Sequence, residues 1–279
     1  RLRLADGSEV DARIKGKRLR PVCGDRVSAA PIPNEDDWLI TAIAARSNEL
    51  NRPNLRGGVE ILAANLDQLV VVAAPEPAPD WFVVDRYIAA AEYMRVAAIV
   101  VFNKTDLGTS AASAAELADY RRAGYPVLEC SATDNSGLDA LGKALAAQTA
   151  IIVGQSGVGK SSLINALMGG QAQRTAAISS KSGEGRHTTV NSVMLDLPGG
   201  GRVIDSPGVR DYAPAFESAT AVVAGFREIE SASSECRFAN CRHLQEPGCA
   251  VKDAVEAGNI SARRYESYRR LLRLTEDTV

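Results

Sequence analysis

No apolar run in the chain approaches the roughly 18 residues that a membrane-crossing helix needs. Lipidation motifs and basic amphipathic anchors are also missing, so no membrane is expected among its partners. An excess of one charge is absent too: 32 Lys and Arg stand against 34 Asp and Glu, a net charge of −2. No global basic signature therefore marks a nucleic-acid binder, and any such contact has to come from local patches. Cysteine is scarce and unevenly placed, with Cys23 and Cys130 apart and Cys236, Cys241 and Cys249 crowded near the C-terminus. That distribution argues against a disulfide framework and for a reducing, cytoplasmic setting. There is no internal repeat, low-complexity segment or signal-peptide pattern. The chain begins at Arg1, so a native start further upstream is expected. What is present, 279 residues at 46% hydrophobic and 24% charged, suffices for two or three globular domains.

Against that background one stretch stands out. Gly154-Gln155-Ser156-Gly157-Val158-Gly159-Lys160-Ser161 follows the apolar run Ala150 to Val153 and precedes Ser162-Leu163-Ile164-Asn165-Ala166-Leu167-Met168. Strand, glycine-rich loop and helix in this order give the pattern G-x-x-x-x-G-K-[ST] its meaning as a phosphate-binding P-loop. Gly154, Gly157 and Gly159 let the backbone curl round a polyphosphate, and N–H groups from Gln155, Ser156, Val158 and Ser162 complete the cradle. Lys160 is placed to reach the β- and γ-phosphates, and Ser161 to put its hydroxyl on a magnesium ion.

Around this loop the chain alternates between strand and helix. Leu69 to Ala74 and Val96 to Phe102 are continuous apolar runs, suited to strands buried on both faces. Asp80 to Tyr93 has helical spacing with Asp80 as its cap; Ser113 to Ala123 and Leu138 to Ala147 read as further helices, and Pro126 to Cys130 as a strand. Asn191 to Leu197 and Arg202 to Ile204 are strands joined by Pro198-Gly199-Gly200-Gly201. The pattern predicts a largely parallel, doubly wound α/β sheet with one antiparallel edge. Before it, Arg1 to about Pro53 offers only short alternating runs such as Glu9 to Ile14 and Trp38 to Ile43, as in a small β-barrel. Between Arg13 and Arg26 lie Arg13, Lys15, Lys17, Arg18, Arg20 and Arg26 against Asp25 alone. This is either a solvated strand face or an RNA-binding one, and no aromatic stacking residue accompanies it. After Gly208, Ser218 to Ser231 reads as one helix, Cys236 to Cys249 as a loop, and Ala250 to Leu274 as a helical pair broken at Gly258-Asn259. Arg263, Arg264, Arg269, Arg270 and Arg273 against Glu266 give the last segment a basic face.

Asn103-Lys104-Thr105-Asp106 comes directly after the strand Val96 to Phe102, where the ligand crevice of such a sheet lies. An N-K-x-D loop recognises guanine: Asp106 accepts from ring N1–H and the 2-amino group, and Asn103 meets the N7/O6 edge. Adenine offers neither donor and would leave the carboxylate unpaired. Ser131-Ala132, after the strand ending at Cys130, completes the pocket, with the Ala132 N–H reaching O6; Cys130 itself reads as a buried strand residue. Asp205-Ser206-Pro207-Gly208 fits a D-x-x-G loop, with Asp205 reaching magnesium through water and the Gly208 N–H reaching the γ-phosphate. Thr188 or Thr189 is the candidate to close over magnesium and the γ-phosphate. Asp106 and Ser131 precede Gly154 while Asp205 comes last, so the domain is circularly permuted relative to an ordinary GTPase, and the Asp205 to Gly208 switch runs straight into the C-terminal region. Val209 stands where a water-orienting glutamine is expected, and His187, beside the threonines, is either its replacement or a plain polar loop residue.

Cys236, Cys241, His243 and Cys249 place four ligands within fourteen residues, in a loop containing Pro247-Gly248. Three thiolates and one imidazole suit one structural zinc ion in tetrahedral geometry, with iron–sulfur ligation as the minor competitor.

Barrel, permuted GTPase and cysteine–histidine loop, in this order, resemble the RsgA (YjeQ) family of bacterial GTPases. Ala63-Ala64-Asn65-Leu66-Asp67-Gln68, Gly185-Arg186-His187-Thr188-Thr189, Asp205-Ser206-Pro207-Gly208-Val209 and Arg264-Tyr265-x-x-Tyr268 carry the likeness over nearly the whole chain. The resemblance implies an OB-fold barrel over residues 1–58, a circularly permuted GTPase domain over 59–217 and a zinc-finger and helical domain over 218–279. It further implies a late role in small-subunit maturation, with the small ribosomal subunit and its rRNA as partners of a monomer and GTP hydrolysis stimulated on the ribosome. Gly157 stands where potassium-dependent GTPases commonly carry asparagine, which speaks against a potassium requirement.

Overall fold

Seven short strands open the computed structural model, which describes residues 1–16, 18–53, 58–169, 192–206 and 216–276: β1 (Leu2–Arg3), β2 (Glu9–Val10), β3 (Ala12–Ile14), β4 (Val27–Pro31), β5 (Trp38–Ile43), β6 (Glu49–Pro53) and β7 (Val59–Ala64). Among the described residues they make three small sheets: β1 with β2, β3 and β4 on either side of β5, and β6 with β7. The run Glu9 to Ile14 is split, because Val10 pairs with Leu2 whereas Ala12–Ile14 run parallel to Trp38–Ile40. Asn65, directly after β7, fastens the end of this region to two of its loops. Its Oδ1 accepts from Ser47 N at 2.9 Å, and its Nδ2 donates to Gly24 O at 2.9 Å.

The central sheet is formed as β8 (Gln68–Ala73), α1 (Trp81–Met94), β9 (Ala97–Phe102), α2 (Ala111–Arg122), β10 (Val127–Glu129), α3 (Leu138–Leu145), β11 (Thr149–Gly154), α4 (Lys160–Leu167), β12 (Val193–Asp196) and β13 (Arg202–Asp205). The strand order is β10-β9-β8-β11-β13-β12, parallel except for β12. Period-two alternation divides β8 between two cores. Leu69, Val71 and Ala73 face Tyr87 and Ile88 of α1, while Val70 and Val72 face Leu141, Leu145 and Leu163. Both faces are covered, which is why the strands read as unbroken apolar runs. Asp80 caps α1 by accepting from the N–H groups of Phe82 and Val83. From β8 the chain winds outward through β9 and β10, then returns across the sheet to β11 on the other side. The β8/β11 border is therefore the switch point, with a crevice beyond its carboxyl end.

Among the described residues four helices follow: α5 (Ala219–Ala224), α6 (Arg227–Ser233), α7 (Ala250–Glu256) and α8 (Ala262–Glu276). The single helix expected over Ser218 to Ser231 is two, broken at Gly225-Phe226 because the Phe226 ring turns inward onto Tyr268 (centroids 5.8 Å apart, edge-on). Ala89 and Tyr93, on the far side of α1, join Phe216, Val222, Phe226 and Ile229 in a third apolar cluster. Helix α1 is thus shared between the sheet and the C-terminal helices. The basic face expected on α8 is smaller than its arginine count. Positions 264, 268, 271 and 272 form the buried stripe of the helix, so Arg264 is 1% exposed, and Arg263 also turns inward to Asp85 and Glu116. Arg269, Arg270 and Arg273 remain outside, each within ion-pair reach of Glu266.

Candidate active site and metal cluster

β11 enters the P-loop beside β8, with Gly154 opposite Val72. The approach of the two backbones dictates the residue, since a Cβ on Gly154 would stand 2.2 Å from the Val72 carbonyl oxygen. Helix α4 starts at Lys160, with Gly159 as its cap at φ +88° and no capping side chain, so the N–H groups of its first turn face the loop. Lys160 Nζ donates to the carbonyls of Gly154 at 2.8 Å and Gln155 at 2.7 Å, which lays the ammonium across the loop. Val158 is fully buried and roots the loop in the apolar layer below; Ser156, Gly157, Ser161 and Ser162 are exposed around its mouth. The Gln155 side chain accepts from Asp80 N at 3.1 Å and so joins the P-loop to the cap of α1.

Directly after strand β9 comes Asn103, which is 1% exposed. Its Nδ2 donates to Val158 O at 2.9 Å, and its Oδ1 accepts from Ala132 N at 3.3 Å. One buried amide therefore braces the P-loop against the loop after β10, and the two groups expected to meet the base edge, Asn103 and the Ala132 N–H, are hydrogen-bonded to each other. Lys104, at φ +62°, adds a second brace, with Nζ donating to Glu76 O and Gly157 O, each at 2.8 Å. Asp106 stands exposed on the single turn Thr105–Leu107, where Ser131 Oγ donates to its Oδ1 at 2.6 Å. Among the described residues that is its side chain's one hydrogen bond, so Oδ2 is open to donors from a base. Ser131 is fully buried and fixes the carboxylate's direction.

Asp205 ends β13, opposite Ile152 of β11. Burial pushes its carboxyl above the usual range, and the Lys160 ammonium pulls it back. The neighbouring Ser206 shares a 2.8 Å hydroxyl contact with Ser192. His187, Thr188, Thr189, Gly208 and Val209 lie outside the described residues, as does Lys17. The structure thus brings Asn103, Lys104, Asp106, Ser131, Ala132, Lys160, Ser161 and Asp205 to one end of the sheet.

The second constellation lies in the segment between α6 and α7. The ligand atoms of Cys236, Cys241, His243 and Cys249 all lie within 4.8 Å of one another. Cys236 Sγ and Cys249 Sγ are 3.5 and 3.4 Å from His243 Nδ1 and 3.9 Å from each other. A tetrahedral metal with sulfur at about 2.3 Å and nitrogen at about 2.0 Å has ligand–ligand edges of roughly 3.5 to 3.8 Å, so these residues fit a metal ion. Burial lowers the His243 pKa and keeps the imidazole neutral, the ligating form. Burial, with the Cys249 and Cys236 thiols alongside, pushes Cys241 up to about 12, a penalty that a divalent cation among the sulfurs would remove. Helix α8 holds the loop through two tyrosine hydroxyls, Tyr265 donating to His243 O and Tyr268 to Arg242 O at 2.9 Å.

Residues 43–214 match the family model described as RsgA GTPase. The chain belongs to the RsgA GTPase family. The small ribosomal subunit biogenesis GTPase RsgA of Ectopseudomonas mendocina is 44% identical over 254 residues, which is 90% of this chain and 74% of the relative. Its counterpart in Pseudomonas aeruginosa is 39% identical over 277 residues, covering 98% of this chain and 81% of the relative. Among solved structures, YjeQ from Thermotoga maritima superposes with a TM-score of 0.75 at 27% identity, covering 97% of this chain and 91% of that one. YloQ, described as a circularly permuted GTPase, does so with a TM-score of 0.72 at 26% identity, over 97% and 87% of the two chains. The RsgA-family order is the one observed here, with Asp106 and Ser131 ahead of the P-loop and Asp205 behind it. The protein is a circularly permuted GTPase.

Proposed function

We propose that this RsgA-family GTPase converts GTP to GDP and phosphate as a late assembly factor of the small ribosomal subunit. The observation that carries the reading is the Asn103 brace, whose 2.9 and 3.3 Å hydrogen bonds hold the phosphate loop and the base loops in one fixed frame. Within that frame the N–H groups of Gly154 to Ser162 cradle the phosphates, and Lys160 leaves its loop carbonyls for the β- and γ-oxygens. The Asp106 carboxylate, aimed by Ser131, accepts from guanine N1–H and the 2-amino group. Ser161 and, through water, Asp205 would hold magnesium, with Thr188 or Thr189 completing its shell; the ion supplies positive charge to the β- and γ-phosphates. Gly208 N–H is assigned to the γ-phosphate and His187 to orienting the attacking water.

Cys236, Cys241, His243 and Cys249 hold one zinc ion, structural because four protein ligands leave no open position. Residues 1–58 form an OB-type barrel, 59–217 the GTPase domain and 218–279 the zinc and helical domain. The exposed Lys15, Arg18, Arg269 and Arg270, with Lys17, contact rRNA phosphates. The protein acts as a monomer in the cytoplasm; among the described residues no helix is long and apolar enough to cross a membrane. The names of the Ectopseudomonas and Pseudomonas relatives support the choice of subunit.

The deciding experiment titrates small subunits, large subunits and free RNA against GTP turnover at fixed salt. Stimulation by small subunits alone is expected. Equal stimulation by all three would reduce the partner to any polyanion, and none by small subunits would refute it.

A further inference from the structure

Phe238 is the one aromatic ring among the exposed large apolar side chains of the described residues, at 41% exposure. It is not on a loose segment. It lies between two members of the metal cluster, Cys236 and Cys241, and Cys241 N donates to Phe238 O at 3.1 Å. The preceding residue is pinned as well, Arg237 N donating to Gly248 O at 3.0 Å. The Arg237 side chain lies along Gly248, where a Cβ would come within 3.3 Å of it, and its guanidinium sits 5.4 Å from the Phe238 ring centroid. The loop therefore presents a ring and a cation together, in a setting that a metal would stiffen further.

The surroundings decide what could cover this ring. A protein partner that used Phe238 as an anchor would need an apolar rim to exclude water, yet the exposed residues flanking it in the chain are Ser234, Glu235, Arg237, Ala239, Asn240 and Arg242. A nucleobase needs only one ring face and gains from an adjacent guanidinium, which can also neutralise its phosphate.

We propose that Phe238 is a base-stacking finger: an unpaired base of single-stranded RNA lies on its ring while Arg237 meets the adjoining phosphate. The proposal rests on the small-subunit reading above for the source of the RNA, and on the loop geometry alone for the chemistry.

The test compares the wild type with Phe238→Ala, Phe238→Trp and Arg237→Gln, using intact small subunits and a single-stranded RNA oligonucleotide over a range of salt. Zinc content and melting temperature serve as folding controls. Loss of one stacked base should weaken both interactions by about 5- to 100-fold in Phe238→Ala, with no change in salt slope. Arg237→Gln should lower that slope by about one. Phe238→Trp should keep its affinity, and its added emission, measured against wild-type Trp38 and Trp81, should be quenched by the oligonucleotide. Oligonucleotide binding by Phe238→Ala equal to wild type overturns the finger, as does unquenched emission at saturation. Loss confined to intact subunits would mean that a protein covers the ring, which also overturns it. Wild-type binding to the oligonucleotide but not to small subunits would strike the ribosomal reading instead.

Discussion

Arg264 Nη1 and Asp85 Oδ1 meet at 2.7 Å between α8 and α1, and both side chains are 1% exposed. Three neighbours share their hydrogen-bonding groups. Tyr120 donates to the same carboxylate oxygen at 2.8 Å, Arg263 takes the other, and Glu228 accepts from Arg264 Nη2 at 3.0 Å. Charges so deep are tolerable only while each partner is present, because desolvation nearly cancels their attraction. By that balance the network's expected net contribution to stability is small, while its bonds form only when α8 and α6 meet α1 and α2 in this one arrangement.

Removing Asp85 is therefore more damaging than removing the whole network. Asp85→Ala leaves Arg264 paired with Glu228 and Arg263 with Glu116, but takes from Tyr120, Arg263 and Arg264 the one carboxylate they share in a buried seam, and should cost about 3–5 kcal/mol of unfolding free energy. Asp85→Leu combined with Arg264→Met, Glu228→Gln and Tyr120→Phe, which leaves none of these groups without its partner, should recover much of that loss. Denaturant melts read both, and a cost below about 1 kcal/mol for the single change would show that the pair is not sealed.

The contrast between Arg264 and Lys160 explains which parts of the molecule the sequence displays. Lys160 belongs to a motif whose members are neighbours in the chain, so spacing alone placed the strand, loop and helix around it. The cysteine–histidine loop was legible for the same reason. Arg264 has its ion-pair partners on α1 and α6, far away in sequence, and a helical arginine whose acid lies elsewhere looks like one more surface charge. Asn103 and Lys104 were recognisable by type, but their braces end on backbone carbonyls of Val158, Glu76 and Gly157, which carry no residue signature. The break at Gly225-Phe226 was hidden because helical periodicity continues across it; only the packing of Phe226 on Tyr268 requires it.

Close approach at the P-loop can be tested with one methyl group. In Gly159→Ala the new Cβ would stand 2.4 Å from Asn103 Nδ2 at a backbone φ of +88°, so either the brace or the helix start must shift. Strain of about 1–3 kcal/mol should lower GTP affinity by roughly 5- to 150-fold by calorimetry. Gly199→Ala, with nothing within 4 Å of its Cβ, is the matched control and should bind as wild type.

Asp205 should show opposite effects on stability and activity. Its pKa is raised in the folded protein, so the folded state favours the protonated carboxyl more than the unfolded chain does, and stability present at acid pH is lost as pH rises through the folded pKa. At neutral pH the buried carboxylate is then a burden in nucleotide-free protein. Asp205→Asn should raise the nucleotide-free melting temperature at pH 7 and flatten its pH dependence, while kcat falls on the order of 100-fold through loss of a preorganised charge. A lower melting temperature at pH 7 would refute the burial argument.

The metal cluster yields a compositional measurement. Protein purified without chelator should carry about one zinc per chain, and Cys249→Ser should lose it. Because assembling such a site can contribute on the order of 10 kcal/mol of apparent binding energy, that variant should also expose the 236–249 loop to proteolysis. Tyr268, buried against Phe226 and bonded to Arg242 O, should lose its protection along with it. A metal-to-protein ratio near zero in the wild type would remove the zinc assignment.

Base selectivity should reverse at Asp106, and the Ser131 contact says in which direction. Ser131 Oγ donates to Asp106 Oδ1 at 2.6 Å, so in Asp106→Asn the amide oxygen keeps that bond and the amide NH2 takes the position facing the base. Guanine presents two donors there, N1–H and the 2-amino group, and both now meet a donor. Two hydrogen bonds to a charged acceptor, each worth about 1.5–3 kcal/mol, are lost, so GTP affinity should fall by about 100-fold or more. Xanthine carries an oxygen in place of the 2-amino group, which can accept from the new amide, so XTP should become the preferred nucleotide. Competition between GTP and XTP for the variant measures the switch. Ser131→Ala in the same background should blur it, since the amide is then free to turn over, and retention of wild-type GTP preference by Asp106→Asn would overturn the assignment.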